Sequence, residues 1–172
     1  MIVDYLLYSG KIKFMKKVSL FVDVQNIYYT TRDHYQCHFD YNAFWAAATQ
    51  GREVVNAYAY AIYRNNEKQI QFQNILRGIG FEVKLKPFIQ RSDGSAKGDW
   101  DVGITLDVIE CAAQSDIIVL ASGDGDFAML LDRAKERYQV ATEVYGVPAL
   151  TANSLIQSAG KYIPIDESLL LK

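Results

Sequence analysis

Short runs rich in β-branched and aromatic residues alternate along the chain with longer stretches of helical period. Val18–Val24 (VSLFVDV) is apolar at nearly every position, the pattern of a strand covered on both faces. Asn26–Asp33 and Asp40–Thr49 read as helices, the second with Asp40 placed to cap it. Glu53–Tyr63 reads as a strand. Glu67–Arg77 reads as a helix with an apolar face of Ile70, Phe72 or Gln73, and Leu76, ended by Gly78 and Gly80. Phe81–Leu85 predicts a short strand, and Ile89–Gly98 a polar loop. Three further helix patterns, Asp101–Ala113, Asp124–Arg137 and Pro148–Ser158, are separated by strand patterns at Asp116–Ala121 and Gln139–Tyr145. Tyr162–Ile165 is a short extended end.

Strands alternating with helices predict a single-domain, Rossmann-like α/β fold: three layers, with a mainly parallel central sheet flanked by helices and right-handed crossovers. The domain is expected over residues 15–172. Met15 opens MKKVSLFVD, which reads as a start into the first strand. Met1–Phe14 therefore reads as an N-terminal extension, from a misassigned start or a vector. It lacks the cleavage site of a signal peptide.

The 172 residues suffice for one core, and 50% apolar with 22% charged excludes a disordered chain. The formal charge of −2 excludes bulk cationic attraction to nucleic acid, so any such contact must use a local patch. Cys37 and Cys111 match no zinc or CxxC spacing and fit a reducing cytoplasm. No apolar run approaches the ~20 residues of a bilayer helix, so no membrane partner is expected.

In open α/β sheets, ligands bind beyond the carboxyl ends of the strands. The first strand delivers Asp23 there, an acid inside an apolar run that needs a partner. The strand at Ile117–Ala121 delivers Ser122-Gly123-Asp124-Gly125-Asp126-Phe127, and Asp101 opens the preceding helix. If these loops share one rim, Asp23, Asp101, Asp124 and Asp126 converge. Two bare carboxylates at ~4 Å repel by about 4 kcal/mol at an effective dielectric of 20. Lys97 and Arg91 are too few to neutralise four acids. A hard divalent ion, Mg²⁺ or Mn²⁺, is the expected answer, and such an ion serves phosphodiester hydrolysis. Each acid also has a plainer explanation: Asp124 as a helix cap, and Asp126 and Asp101 as first-turn residues. Asn26 would orient a metal-bound water or cap the first helix. Asp107, about 600° of helix rotation from Asp101, lies on another face, as an outer-shell or solvated residue.

Other templates fit less well. Gly123–Ala128 formally matches the dinucleotide fingerprint, but its two Asp side chains would face a pyrophosphate. No P-loop is present, and Gln25 replaces the second Asp of a haloacid-dehalogenase pattern. His34 and His38 are spaced as a zinc pair but lack a third ligand. The basic residues Lys84, Lys86, Arg91 and Lys97 lead into Asp101, which suits a phosphate backbone passing a metal or simply a solvated face. Tyr58, Tyr60, Tyr63 and Phe88 would stack bases if exposed, although core packing suits most of them better.

Taken together, Asp23-x-x-Asn26, Lys97-Gly98…Asp101-Val102 with Asp107, and Ser122-Gly123-Asp124-Gly125-Asp126-Phe127 resemble the NYN domain, in the LabA-like branch of the PIN-like nuclease superfamily. The resemblance spans Val18 to Pro164. It implies a PIN-like version of the fold, an acidic metal site and, for some members, RNA cleavage. Asp23, Asp101 and Asp124 would be the principal acids and the metal ligands. Asp126 joins them in the catalytic set, and Asn26, Asp99, Asp107 and Ser122 support it. The family form KGVD is one residue longer here, with Asp99-Trp100 before Asp101, so Asp99 competes for the same role.

The expected function is a Mg²⁺- or Mn²⁺-dependent ribonuclease acting on single-stranded RNA, with Lys97, Arg91 and Lys86 holding the backbone. A noncatalytic RNA- or protein-binding module that keeps the acids, and a metal-dependent nucleotide phosphoesterase, are the alternatives. An aromatic content of 13% leaves room for a homodimer patch.

Overall fold

The computed structural model describes residues 6–8, 11–87, 89–90, 92–93 and 96–172, with side chains described from residue 14 onward except at 88–91 and 94–97. Six strands form the central sheet: β1 (Lys16–Asp23), β2 (Arg52–Tyr63), β3 (Glu82–Pro87), β4 (Ile117–Ala121), β5 (Ala141–Gly146) and β6 (Lys161–Pro164). Their order is β6-β5-β4-β1-β2-β3, and every neighbouring pair is parallel. The chain runs outward from β1 through β2 to β3, then returns to β4 and runs outward the other way. Direction therefore reverses between β1 and β4, and ligand sites of such sheets lie at that point.

Side-chain alternation builds two cores. Val18, Leu20 and Val22 of β1 face α1 (Val24–Tyr35), α2 (Tyr41–Thr49) and α3 (Glu67–Ile79), with Ile27, Phe44 and Leu76 as fully buried anchors. Phe21 and the Tyr60 ring belong to the opposite core. There they meet Ile104 and Val108 of α4 (Asp101–Ala112), Leu131 of α5 (Ala128–Tyr138) and Leu155 of α6 (Asn153–Ser158). Helices of the first half thus cover one face and those of the second half the other, as right-handed crossovers require when the winding direction reverses. All five residues of β4 are buried, which explains its unbroken apolar run. No helix among the described residues is long and apolar enough to cross a membrane.

Three local expectations change. The stretch expected as a polar loop contains a short antiparallel pair, Ile89–Gln90 with Ala96–Lys97. Pro148–Ser158 is not one helix: a 3₁₀ turn at Pro148–Leu150 is followed by extended backbone at Thr151 and Ala152 before α6. On α3 the helix continues through Gly78 to Ile79, and Gly80 at φ 136° ends it. Gln73 rather than Ile70 faces the core there, and its amide nitrogen has no hydrogen-bond partner among the described residues. A further strand pair, His38–Phe39 with Leu170–Leu171, ties the C-terminal segment to the start of α2. Residues 6–8 and 11–13 pair as two antiparallel strands.

Candidate functional site

Three segments meet where the sheet reverses. β1 ends on Asp23, which is 9% exposed. Its Oδ1 accepts from the Asn26 N–H (3.4 Å), the first cap of α1, and its Oδ2 accepts from the Ser122 hydroxyl (3.1 Å). The Ser122 oxygen accepts in turn from the Asp124 N–H (3.2 Å), and Asn26 Oδ1 accepts from the Gly123 N–H (2.8 Å). Asp23 and Asn26 therefore hold the loop after β4 from two sides. The Asn26 side chain thus ties α1 to that loop.

The loop itself is closely packed. A Cβ on Gly123 would lie 2.6 Å from the Leu150 carbonyl oxygen, so glycine alone fits without displacement. The Gly123 carbonyl accepts from the Ala152 N–H (3.0 Å). Asp124 then caps a single 3₁₀ turn, Gly125–Phe127, by accepting from the Asp126 N–H (2.9 Å). The helix expected from Asp124 onward begins with this turn, which presents both carboxylates at its start.

Asp101 opens α4. Asp99 Oδ1 accepts from the Asp101 N–H (3.3 Å), and the Trp100 indole N–H donates to the Ala61 carbonyl at the end of β2 (2.8 Å). The Trp100 ring packs on Tyr60, with centroids 5.3 Å apart, and leaves no room for a side chain at Gly103. Trp100 is thus the anchor of the helix start. The sequence reading did not identify it, and a tryptophan three residues before a glycine was the available signal.

One carboxylate oxygen from each of Asp101, Asp124 and Asp126 lies within 4.8 Å of the others. Asp23, also expected as a ligand, is not in this group and is linked to the Asp124 backbone through Ser122. Burial pushes its carboxyl up to about 6, and the charges of Asp124 and Asp99 act in the same direction against the Asn26 and Ser122 hydrogen bonds. Partial burial and then the charges of Asp124, Asp99, Asp23 and Asp126 push Asp101 up to about 6 as well. The five acids therefore share one electrostatic field. Among the described residues, none of the trio has an ion-pair partner. This oxygen-only, partly exposed and uncompensated donor set fits a hard divalent cation.

The other expected site residues lie elsewhere or are already engaged. Asp107 faces away from the trio and accepts from the Tyr60 hydroxyl (2.8 Å) and from Lys84, in an ion pair of 2.6 Å. Lys84 also lies over the Tyr58 ring, 4.2 Å from its centre. Lys86 donates to the Asp99 carbonyl (2.8 Å) and lies over Trp100. Lys97 is described only in its backbone, while Arg91 and Phe88 lie outside the described residues. Tyr60 is buried and Tyr63 exposed, so core packing accounts for the former. His38 lies in the short strand pair after α1, so the two histidines do not share a helix face.

The sequence model of the NYN domain matches residues 17–166. The chain belongs to the NYN family. Two further proteins are similar over most of the chain. The low amplitude and bright protein LabA of Synechococcus elongatus is 29% identical over 161 residues, covering 88% of this chain and 84% of LabA. A crystal structure of a Vibrio parahaemolyticus protein of unknown function is 58% identical, with a TM-score of 0.88, over 91% of this chain and 97% of that one. NYN membership agrees with the α/β sheet observed and supports a nuclease-type function, and three of the acids that carry the NYN resemblance in the sequence, Asp101, Asp124 and Asp126, are gathered together.

Proposed function

We propose that this NYN domain is a Mg²⁺- or Mn²⁺-dependent ribonuclease acting on single-stranded RNA in the cytoplasm. The observation that carries the reading is the gathering of Asp101, Asp124 and Asp126 within 4.8 Å, without a cationic partner among the described residues. Asp23, Asp101 and Asp124 would hold the ion, with Asp126 beside them. When bound, such an ion supplies positive charge to the phosphate and makes water a stronger nucleophile at neutral pH. The chain's own residues supply position. Ser122 links Asp23 to the Asp124 backbone, Asn26 fixes Gly123, and Asp99 with Trp100 fixes Asp101. Lys86, with Lys97 and Arg91 beyond it in sequence, would steady the phosphate backbone on the α4 side.

The test is cleavage of an end-labelled single-stranded RNA with Mn²⁺, Mg²⁺ or EDTA. The expected result is metal-dependent cleavage that falls at least about a hundredfold in Asp124→Asn, on the scale of losing one charge-stabilising group. RNA binding without turnover in both proteins would instead identify a noncatalytic module. Hydrolysis of small nucleotides but not polymers would identify a phosphoesterase.

A further inference from the structure

On the α1–α3 side of the same sheet edge lies a cavity of about 550 Å³. Val24 and Gln25, the residues directly after Asp23, form one wall, and Ala61 at the end of β2 forms another. Ala61 is also the residue whose carbonyl holds Trp100 beside Asp101. The cavity and the acidic trio are therefore two sides of one rim. Tyr41, buried in the cavity lining, has its hydroxyl pushed up by burial and by the Asp23 charge, so the two sites lie within electrostatic reach.

The lining combines flat rings with amide groups. Tyr28 and Tyr29 are 41% and 54% exposed at the mouth. Gln25, Asn42 and Gln69 bring side-chain amides that both donate and accept hydrogen bonds. Aromatic faces with amide edges suit an unstacked nucleobase, whose ring stacks and whose edge pairs. The lining also includes the charged residues Arg64 and Asp40, while base stacking itself needs no cation.

We propose that this cavity is a nucleobase-binding site, which holds the base of the nucleotide neighbouring the phosphate at the acidic trio. The assignment rests on the nuclease reading for its orientation, and the experiment separates the two. The ¹⁵N-labelled full chain is titrated in EDTA with adenosine, guanosine, cytidine and uridine, and with indole as a ring that lacks a base-pairing edge. At least one nucleoside is expected to shift the amides of Gln25, Asn42 and Gln69 more than indole does. Its Kd should rise about tenfold in Tyr28→Ala, on the scale of one stacking contact, and also in Gln69→Ala, but stay within about twofold in Tyr28→Phe. The assignment is overturned if no nucleoside shifts these amides at about 10 mM, a concentration that detects even millimolar affinity. Equal shifts from indole, or unchanged binding by Tyr28→Ala, overturn it too. These readouts need no metal. Cleavage of RNA without nucleoside binding sinks the cavity assignment alone. Nucleoside binding with cleavage unaffected by Asp124→Asn sinks the nuclease reading alone.

Discussion

Replacing Asp23 by Asn should make the metal-free protein more stable while weakening its response to metal. Burial, reinforced by the Asp124 and Asp99 charges, raises this carboxyl from 3.8 to about 6. The folded state therefore holds the proton more tightly than the unfolded chain does. Its contribution to stability is full below pH 3.8 and is lost as pH rises through about 6. The complete loss is about 3 kcal/mol, and about 1.4 kcal/mol of it falls between pH 5 and pH 7.5. An asparagine does not ionise. Its oxygen still accepts from the Asn26 N–H, but its NH₂ takes the place of the oxygen that accepted from the Ser122 hydroxyl, whose proton loses its acceptor. That mismatch costs about 1 kcal/mol, so the net gain at pH 7.5 in EDTA is about 1–3 kcal/mol, or roughly 2–10 °C in Tm for a chain of this size. Urea unfolding of both proteins at pH 5 and 7.5 measures it. The variant should lose about 1.4 kcal/mol less between those two pH values. Saturating Mn²⁺ should then raise the Tm of the wild type well above that of the variant. A variant less stable than wild type at pH 7.5, with an unchanged pH slope, would refute the argument that Asp23 is a buried, uncompensated charge.

Gln73→Leu replaces a buried amide whose nitrogen lacks a partner among the described residues, and should stabilise the domain by about 1–2 kcal/mol in the same assay. Asp107→Asn removes the charge that pairs with Lys84; it should cost about 2 kcal/mol yet leave cleavage within about twofold, since Asp107 stands apart from the trio. A large loss of activity at unchanged fold would place Asp107 in the site after all. Gly123→Ala forces a methyl against the Leu150 carbonyl, and should lower stability by about 1–3 kcal/mol and reduce cleavage by displacing Asp124.

Much of this arrangement was legible in the residues. Continuous apolar runs at Val18–Val24 and Ile117–Ala121 mark strands buried on both faces, and each delivers acids at its carboxyl end. Parallel strands with their ends on one rim then bring Asp23, Asp101, Asp124 and Asp126 toward one another. In the longer KGDWD segment, Asp101 joins the trio while the Asp99 carboxylate accepts from its backbone N–H. Periodicity could not show that the apparent Pro148–Ser158 helix breaks at Thr151, because the break follows from the loop's packing against Gly123 and Gly146. Nor could it show that Lys84 is consumed by Asp107, a contact between β3 and α4 that no local pattern encodes. The cavity beside Tyr28 was hidden for the same reason, since its walls come from α1, α2, α3 and the ends of β1 and β2.

The most direct test of the metal site is an anomalous difference map from crystals soaked in Mn²⁺. The account predicts a peak coordinated by Asp101 and Asp124, with Asp23 or Asp126 completing the protein ligands, and loss of that peak in Asp124→Asn crystals. Full Mn²⁺ occupancy elsewhere on the surface, with the four carboxylates free or turned toward lysine and arginine side chains, would contradict it.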